Sequence, residues 1–185
     1  MSNPPVQSIS TLGICLTALR IISTRSSIVN NEFLLVTSII RGMIGMTDPD
    51  QDFIFNQVDI SDLDLGTLIK EKLNESKEIS FEEFQAIFNS EKMKGLQKRL
   101  EEEMKKRYGY KNKKSIYKDM SFLSLEQDDL YITISPLHQD SLDGSTGISL
   151  PDNSPLEFKY DKNISDEELG KAVRQALTYC TSIYR

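Results

Sequence analysis

The sequence predicts an α+β fold: a central, mainly antiparallel sheet with helices packed on it. Three observations carry that prediction. "ISDLDLG" at residues 60–66 returns as "ISDEELG" at 164–170, and the likeness runs back through "GMIGMTDPDQDF" (42–53) and "GSTGISLPDN" (144–153). Each copy follows an apolar, β-prone run, "FLLVTSII" (33–40) or "LYITISPL" (130–137). Each then continues into apolar residues at helical spacing, so strand, Gly-x-x-Gly turn, Asp- and Pro-rich loop, strand and capped helix occur in that order twice. The expected organisation is a single domain over residues 1–185. It holds two pseudo-repeated strand-turn-strand-helix units at about 33–76 and 130–180, and a helical insertion at about 80–118. Two copies at so long a period argue for a pseudo-symmetric domain, since solenoid repeats run ~20–50 residues.

Along the chain, residues 11–23 fit helix and strand equally well, and a hairpin through Asn30–Asn31 is expected to lead into residues 33–40. Ser61 is placed to be an N-cap, with Asp64 approximating a capping box, ahead of the stripe Leu65, Leu68, Ile69 and Leu73. Gly66 inside that helix costs about 1 kcal/mol against alanine unless close approach of a neighbouring backbone compensates. Ser80 with Glu83 forms a capping box before Phe81, Phe84, Ile87 and Phe88, which share one side of a short helix. A further helix, about Glu91 to Arg107, carries Met93, Leu96, Leu100 and Met104 on a narrow stripe. "YGYKNKK" (108–114) then reads as a solvated turn. Residues 121–135 read as a hairpin with Gln127, Asp128 and Asp129 at or near its turn. Finally, Ser165 and Glu168 complete a second capping box, ahead of Leu169, Ala172, Val173, Ala176 and Leu177, with Gly170 in the place of Gly66.

Composition bounds the function. The chain has 38% hydrophobic and 27% charged residues, as an ordinary globular protein does, and no window approaches the ~20 apolar residues of a membrane span. "LGICLTALRII" (12–22) lacks the preceding positive charge and the cleavage site of a signal peptide, so a cytoplasmic protein is expected. Two cysteines far apart, Cys15 and Cys180, suggest buried free thiols and neither a disulfide framework nor a zinc cluster. The net charge of −6 is unevenly spread: residues 91–118 are strongly basic, whereas residues 119–168 form an acidic field. Such a field repels nucleic acid and steers basic partners toward itself.

Catalytic signatures are scarce. His138, the single histidine, lies with Asp140 and Asp143 in "HQDSLD", a conceivable ligand set for a divalent metal or the centre of a small hydrolase, but Asp-rich loops are ordinary turn chemistry. Neither Ser141 nor Ser145 sits in a nucleophile elbow, and "GSTG" lacks the lysine of a phosphate-binding loop. The basic stretch 92–118, with Tyr108 and Tyr110 interleaved, offers an alternative reading as a nucleic-acid-binding regulator, although Glu101, Glu102 and Glu103 interrupt it. No cofactor is expected.

The N-terminal half with "FLLVTS", "RGMIG" and "ISDLDLG", the stretch "YGYKNKKSIYKDM", and the C-terminal "ISPLHQDSLDGSTGISLP" with "ISDEELGKAVRQAL" resemble the immunity proteins of bacterial contact-dependent growth inhibition systems, over roughly residues 20–180. The resemblance implies a non-enzymatic cytoplasmic protein that binds the C-terminal toxin domain of a cognate CdiA protein and blocks it. Such toxins are commonly nucleases. A 1:1 complex is expected, with no membrane and no direct nucleic-acid partner. A nuclease cleft holds phosphates with cations, so carboxylates on exposed loops suit its inhibitor. The toxin-binding residues expected from charge and inferred exposure are Asp128 and Asp129 at the hairpin turn, Asp140 and Asp143 in the histidine loop, and Asp152 after Pro151. Tyr131 and His138 are the expected anchors among them.

Overall fold

The apolar runs pair into a sheet in the computed structural model, which describes residues 17–24 and 32–184. In chain order the elements are β1 (Thr17–Thr24), β2 (Leu34–Thr37), β3 (Ile39–Arg41), β4 (Gly45–Thr47), β5 (Phe55–Asn56), α1 (Asp62–Glu75), β6 (Lys77–Glu78) and α2 (Phe81–Phe88). They continue with α3 (Glu91–Tyr108), α4 (Lys113–Tyr117), β7 (Met120–Gln127), β8 (Tyr131–Gln139), β9 (Thr146–Gly147), β10 (Phe158–Asp161), α5 (Asp166–Leu177) and β11 (Thr181–Ser182). The main sheet has the order β10-β8-β7-β1-β2-β5, all antiparallel, with β9 and β11 on the far part of β8. A small sheet, β4-β3-β6, continues from β2 after a break at Ser38. The fold is therefore α+β, mainly antiparallel, with helices on the sheet.

Residues 17–23, which fitted helix and strand alike, are strand, paired in register with β2 and β7. The expected turn at Asn30–Asn31 lies outside the described residues, as does Cys15. The run 33–40 lacks apolar and polar alternation because both faces of the sheet are covered. Leu34 and Val36 point into a core with α1 and α5, built on Leu65, Ile69, Leu73, Leu169 and Val173. Phe33 and Leu35 point the other way, against Leu100 and Met104 of α3 and Ile116 and Tyr117 of α4. Fully burying side chains of this size stabilises by roughly 1.5–3 kcal/mol each.

The echoed heptapeptides meet. Ser61 caps α1 by accepting from the Asp64 N–H at 3.1 Å, and Ser165 with Glu168 forms the expected capping box on α5. The two helices then cross so closely that a Cβ on Gly66 would lie 1.8 Å from the Asp166 carbonyl oxygen, and one on Gly170 would lie 1.9 Å from that of Asp62. The cations eight residues after each aspartate close the arrangement. Lys70 pairs with Asp166 at 2.6 Å and donates to the Ile164 carbonyl. Arg174 pairs with Asp62 at 2.6 Å and donates to the Val58 and Ile60 carbonyls. The helix-breaking glycines thus have the physical reason the sequence pointed to, a neighbouring backbone in contact.

Strand pairing is matched in the same way. The first part of the long strand pairs with the strand before the helix, Leu35 with Phe55 and Phe158 with Ile134. Its far part pairs with the strand after the turn, Ile39 with Thr47 and His138 with Thr146. After each helix a two-residue strand returns parallel to it, β6 on β3 and β11 on β8.

Three sequence expectations need correction. "YGYKNKK" is a turn only over residues 109–112, with Gly109, Lys111 and Asn112 exposed: Gly109, left-handed at φ 70°, ends α3, α4 begins at Lys113, and Tyr108 stacks on Phe33 at a centroid distance of 4.8 Å. The second turn is Asp140–Ser145 and not "GSTG", since Thr146 and Gly147 already pair in β9. On α2, Phe84 is buried, but Phe81 and Phe88 on the same side remain exposed.

Candidate interaction surface

The β7–β8 hairpin closes on Asp128. Its N–H donates to the Tyr131 carbonyl at 3.0 Å, and its Oδ1 accepts from the N–H groups of Leu130 at 2.8 Å and Tyr131 at 2.7 Å. An aspartate does this well because its short carboxylate reaches the backbone two and three residues on. The two backbone donors, aided by Lys159 and Lys162, hold the Asp128 carboxyl below its ordinary value of 3.8. Asp129, Leu130 and Tyr131 are exposed around it. The tip therefore combines two aspartates with an apolar and an aromatic side chain.

Because the folded-state value is depressed, this turn's stabilisation is complete above the unfolded aspartate value near 3.9 and is lost as the pH falls through the lower folded value. The Leu130 and Tyr131 amide resonances should accordingly titrate with a midpoint below 3.8. In Asp128→Ala that titration should vanish. Amides that titrate at or above the ordinary aspartate range would contradict the assignment.

The other expected site residues lie elsewhere. Tyr131 and His138 are seven residues apart along β8, about 23 Å at ~3.3 Å per strand residue. At the far end, His138 Nδ1 bonds Thr181 Oγ1 at 2.8 Å. Asp140 is exposed there, and Asp143 pairs with Lys113 at 2.7 Å, tying the loop to α4. Asp152, in the loop before β10, accepts the Ser154 N–H at 3.0 Å and hydroxyl at 2.6 Å. The seven residues therefore form no single cluster: Asp128, Asp129 and Tyr131 come together, whereas His138, Asp140 and Asp143 mark the opposite end. Among the described residues no group of three or more His, Cys, Asp or Glu side chains is arranged to hold a metal ion. Among them, too, no helix is long and apolar enough to cross a membrane.

The basic stretch does not present what base stacking requires. Tyr108 packs against Phe33 and Phe55 and Tyr110 against Tyr108, and burial pushes both phenols above their ordinary values. Lys94, Lys98 and Arg107 pair with glutamates of their own helix, Lys92 with Asp50, and Arg99 donates to the Pro49 carbonyl and lies over the Phe53 ring.

Sequence reasoning missed the neighbour of the hairpin tip. Arg41, the last residue of β3, pairs with Glu126 of β7 at 3.0 Å, so the β3–β4 turn that follows it stands at the same end of the sheet as Asp128. That turn exposes Met43 and Ile44 and packs Gly42 against Phe84 of α2. The signal was present in the apolar letters of "GMIG", which a buried turn and an exposed one share.

The sequence profile of the CDI immunity proteins (CdiI) matches residues 26–180. The chain belongs to the CDI immunity protein family. A curated relative, Immunity protein CdiI-YPIII of Yersinia pseudotuberculosis serotype O:3 (strain YPIII), is 29% identical over 170 residues, covering 82% of this chain and 91% of the relative. Two solved structures share the fold of this CDI immunity protein. One is a protein of unknown function, NMB0488, from Neisseria meningitidis, with a TM-score of 0.75 and 18% identity over 94% of this chain and 99% of that one. The other is a chain of a CdiA-CT/CdiI toxin and immunity complex from Yersinia pseudotuberculosis, with a TM-score of 0.74 and 22% identity over 92% and 99%.

Proposed function

We propose that this CDI immunity protein binds the C-terminal toxin domain of its cognate CdiA protein, a nuclease acting on RNA, and neutralises it stoichiometrically in the bacterial cytoplasm. The family match across residues 26–180 carries the reading, and the shared fold with a chain of a toxin and immunity complex supports it. The protein acts by occlusion, as a 1:1 partner, with no turnover and no cofactor. An excess of acidic side chains gives charge complementarity to a cationic phosphate-binding cleft and speeds encounter. An interface of about 1,600 Å² with a few apolar or aromatic anchors suffices for nanomolar binding.

The test is co-expression with the toxin domain of the polypeptide encoded immediately upstream. The partner alone should arrest growth and degrade RNA. With this protein present, cells should grow, and the two chains should purify together in a 1:1 ratio. Arrest that persists, with no complex recovered, rejects the reading. Growth rescue without RNA degradation by the free partner rejects only its nuclease part.

A further inference from the structure

The β3–β4 turn and α2 build an apolar surface that none of the described residues covers. A Cβ on Gly42 would lie 2.5 Å from the Phe84 Cβ and Cδ2, so the turn rests directly on α2. Phe84 is buried there and stacks on Phe88 at a centroid distance of 5.5 Å, and Phe81 and Phe88 flank it on the same helix face at i−3 and i+4. Around that contact Met43 is 69%, Ile44 58%, Phe81 49% and Phe88 49% exposed. Together they leave on the order of 400 Å² of largely apolar surface in water, within the roughly 300–600 Å² of a typical monomer's largest patch, which is often functional.

The surroundings say what covers it. Glu82 and Glu83 lie on α2 itself and Glu78 in β6, with Lys77 as the neighbouring cation, so the rim is acidic. Hydrogen bonds from Ser80 hold the Glu83 carboxyl below its ordinary value and keep it ionised. A second copy docked through a two-fold axis sets the same acidic rim against itself, in a chain of net charge −6, and is disfavoured. A basic partner meets both the apolar centre and the rim. The Arg41–Glu126 pair fixes this patch beside the hairpin tip bearing Asp129 and Tyr131, which extends the acidic border.

We propose that the cognate toxin docks at this end of the sheet, its lysines and arginines around the acidic rim and an apolar surface of its own on Met43, Ile44, Phe81 and Phe88. The inference rests on the toxin-binding reading and selects between the two groups of carboxylates that β8 separates: the end with Asp128 and Asp129 is the contact, and the end with Asp140 and Asp143 faces away.

Met43→Ser with Ile44→Ser tests it, because these exposed turn residues can change without opening the core. The affinity of purified variants for the toxin domain is measured by titration calorimetry, beside the thermal midpoint of each variant alone. The expected result is a loss of at least 100-fold with an unchanged midpoint, and a smaller loss for Asp140→Asn. A double variant that binds within threefold of wild type while wild type binds tightly overturns the placement alone, as does a larger loss from Asp140→Asn. Wild-type dimerisation that the double variant abolishes, with toxin affinity intact, assigns the patch to a second copy and also overturns it. A wild-type chain that fails to hold the toxin removes the toxin-binding reading and this placement with it.

Discussion

Gly66→Ala is expected to lower the melting temperature by at least ~6 °C and to cost at least ~3 kcal/mol. The added Cβ would lie 1.8 Å from the Asp166 carbonyl oxygen, 2.5 Å from its carbon and 2.8 Å from its Cα. All three are backbone atoms at the start of another helix, so no side chain can swing aside. The helices must part instead, and parting them loosens the core that Leu65, Ile69, Leu169 and Val173 share with the sheet. It also stretches the Lys70–Asp166 and Arg174–Asp62 pairs, which sit at the same crossing. Overpacking a core commonly costs ~1–3 kcal/mol where side chains can adjust, and this site allows less adjustment than that. Gly170→Ala should behave alike, and combining the two should cost less than the sum, because the first already opens the contact. Gly95→Ala is the control: it lies within α3 with nothing inside 4 Å of a built Cβ, so alanine should stabilise by up to ~1 kcal/mol. Thermal denaturation followed by circular dichroism separates these outcomes. A Gly66→Ala protein within 1 kcal/mol of wild type, as Gly95→Ala should be, would refute the account of the echoed heptapeptide.

That contrast also marks where the sequence is legible. Caps are local chemistry, decided within three residues, and Ser61, Ser80 and Ser165 all occupy the cap positions their spacing indicates. The hairpin at Asp128 is local in the same sense. Periodicity shows that a face is apolar but is silent on what covers it. Phe81, Phe84 and Phe88 share one stripe, yet only Phe84 is buried, because the turn at Gly42 reaches no further. The strands β6 and β11 escape notice because Lys77–Glu78 and Thr181–Ser182 are two-residue polar strands, with no apolar pattern to betray them. The expected site was dispersed for a related reason. Charge and loop position select Asp128 and Asp143 equally, whereas the structure sets them at opposite ends of β8 and pairs Asp143 with Lys113, 30 residues away in sequence.

Gln139→Met should be nearly as damaging as Gly66→Ala, although its volume is close to that of glutamine. Gln139 is fully buried at the end of β8. Its Nε2 donates to the Tyr117 carbonyl and to the Leu142 carbonyl, both at 2.8 Å, and its Oε1 accepts the Ser182 hydroxyl at 2.7 Å. One amide therefore joins the end of α4, the loop that carries Asp140 and Asp143, and β11. Methionine fills the space but offers no donor, so interior carbonyls lose a partner, each at about 1–3 kcal/mol, and a total near 3–5 kcal/mol is expected. Gln51 performs a similar task after β4, bonding the Ser38 N–H at 2.9 Å and carbonyl at 3.0 Å, but in a half-buried position where water can replace it, so Gln51→Met should cost less. Urea unfolding provides the measurement: the Gln139→Met midpoint should fall with an unchanged slope, since the folded core stays compact. Faster amide exchange confined to residues 140–145 and 181–183 would locate the damage at the loop and β11, two of the three segments this side chain holds together. A midpoint equal to wild type would mean that packing alone holds the loop, and that the buried amide is dispensable.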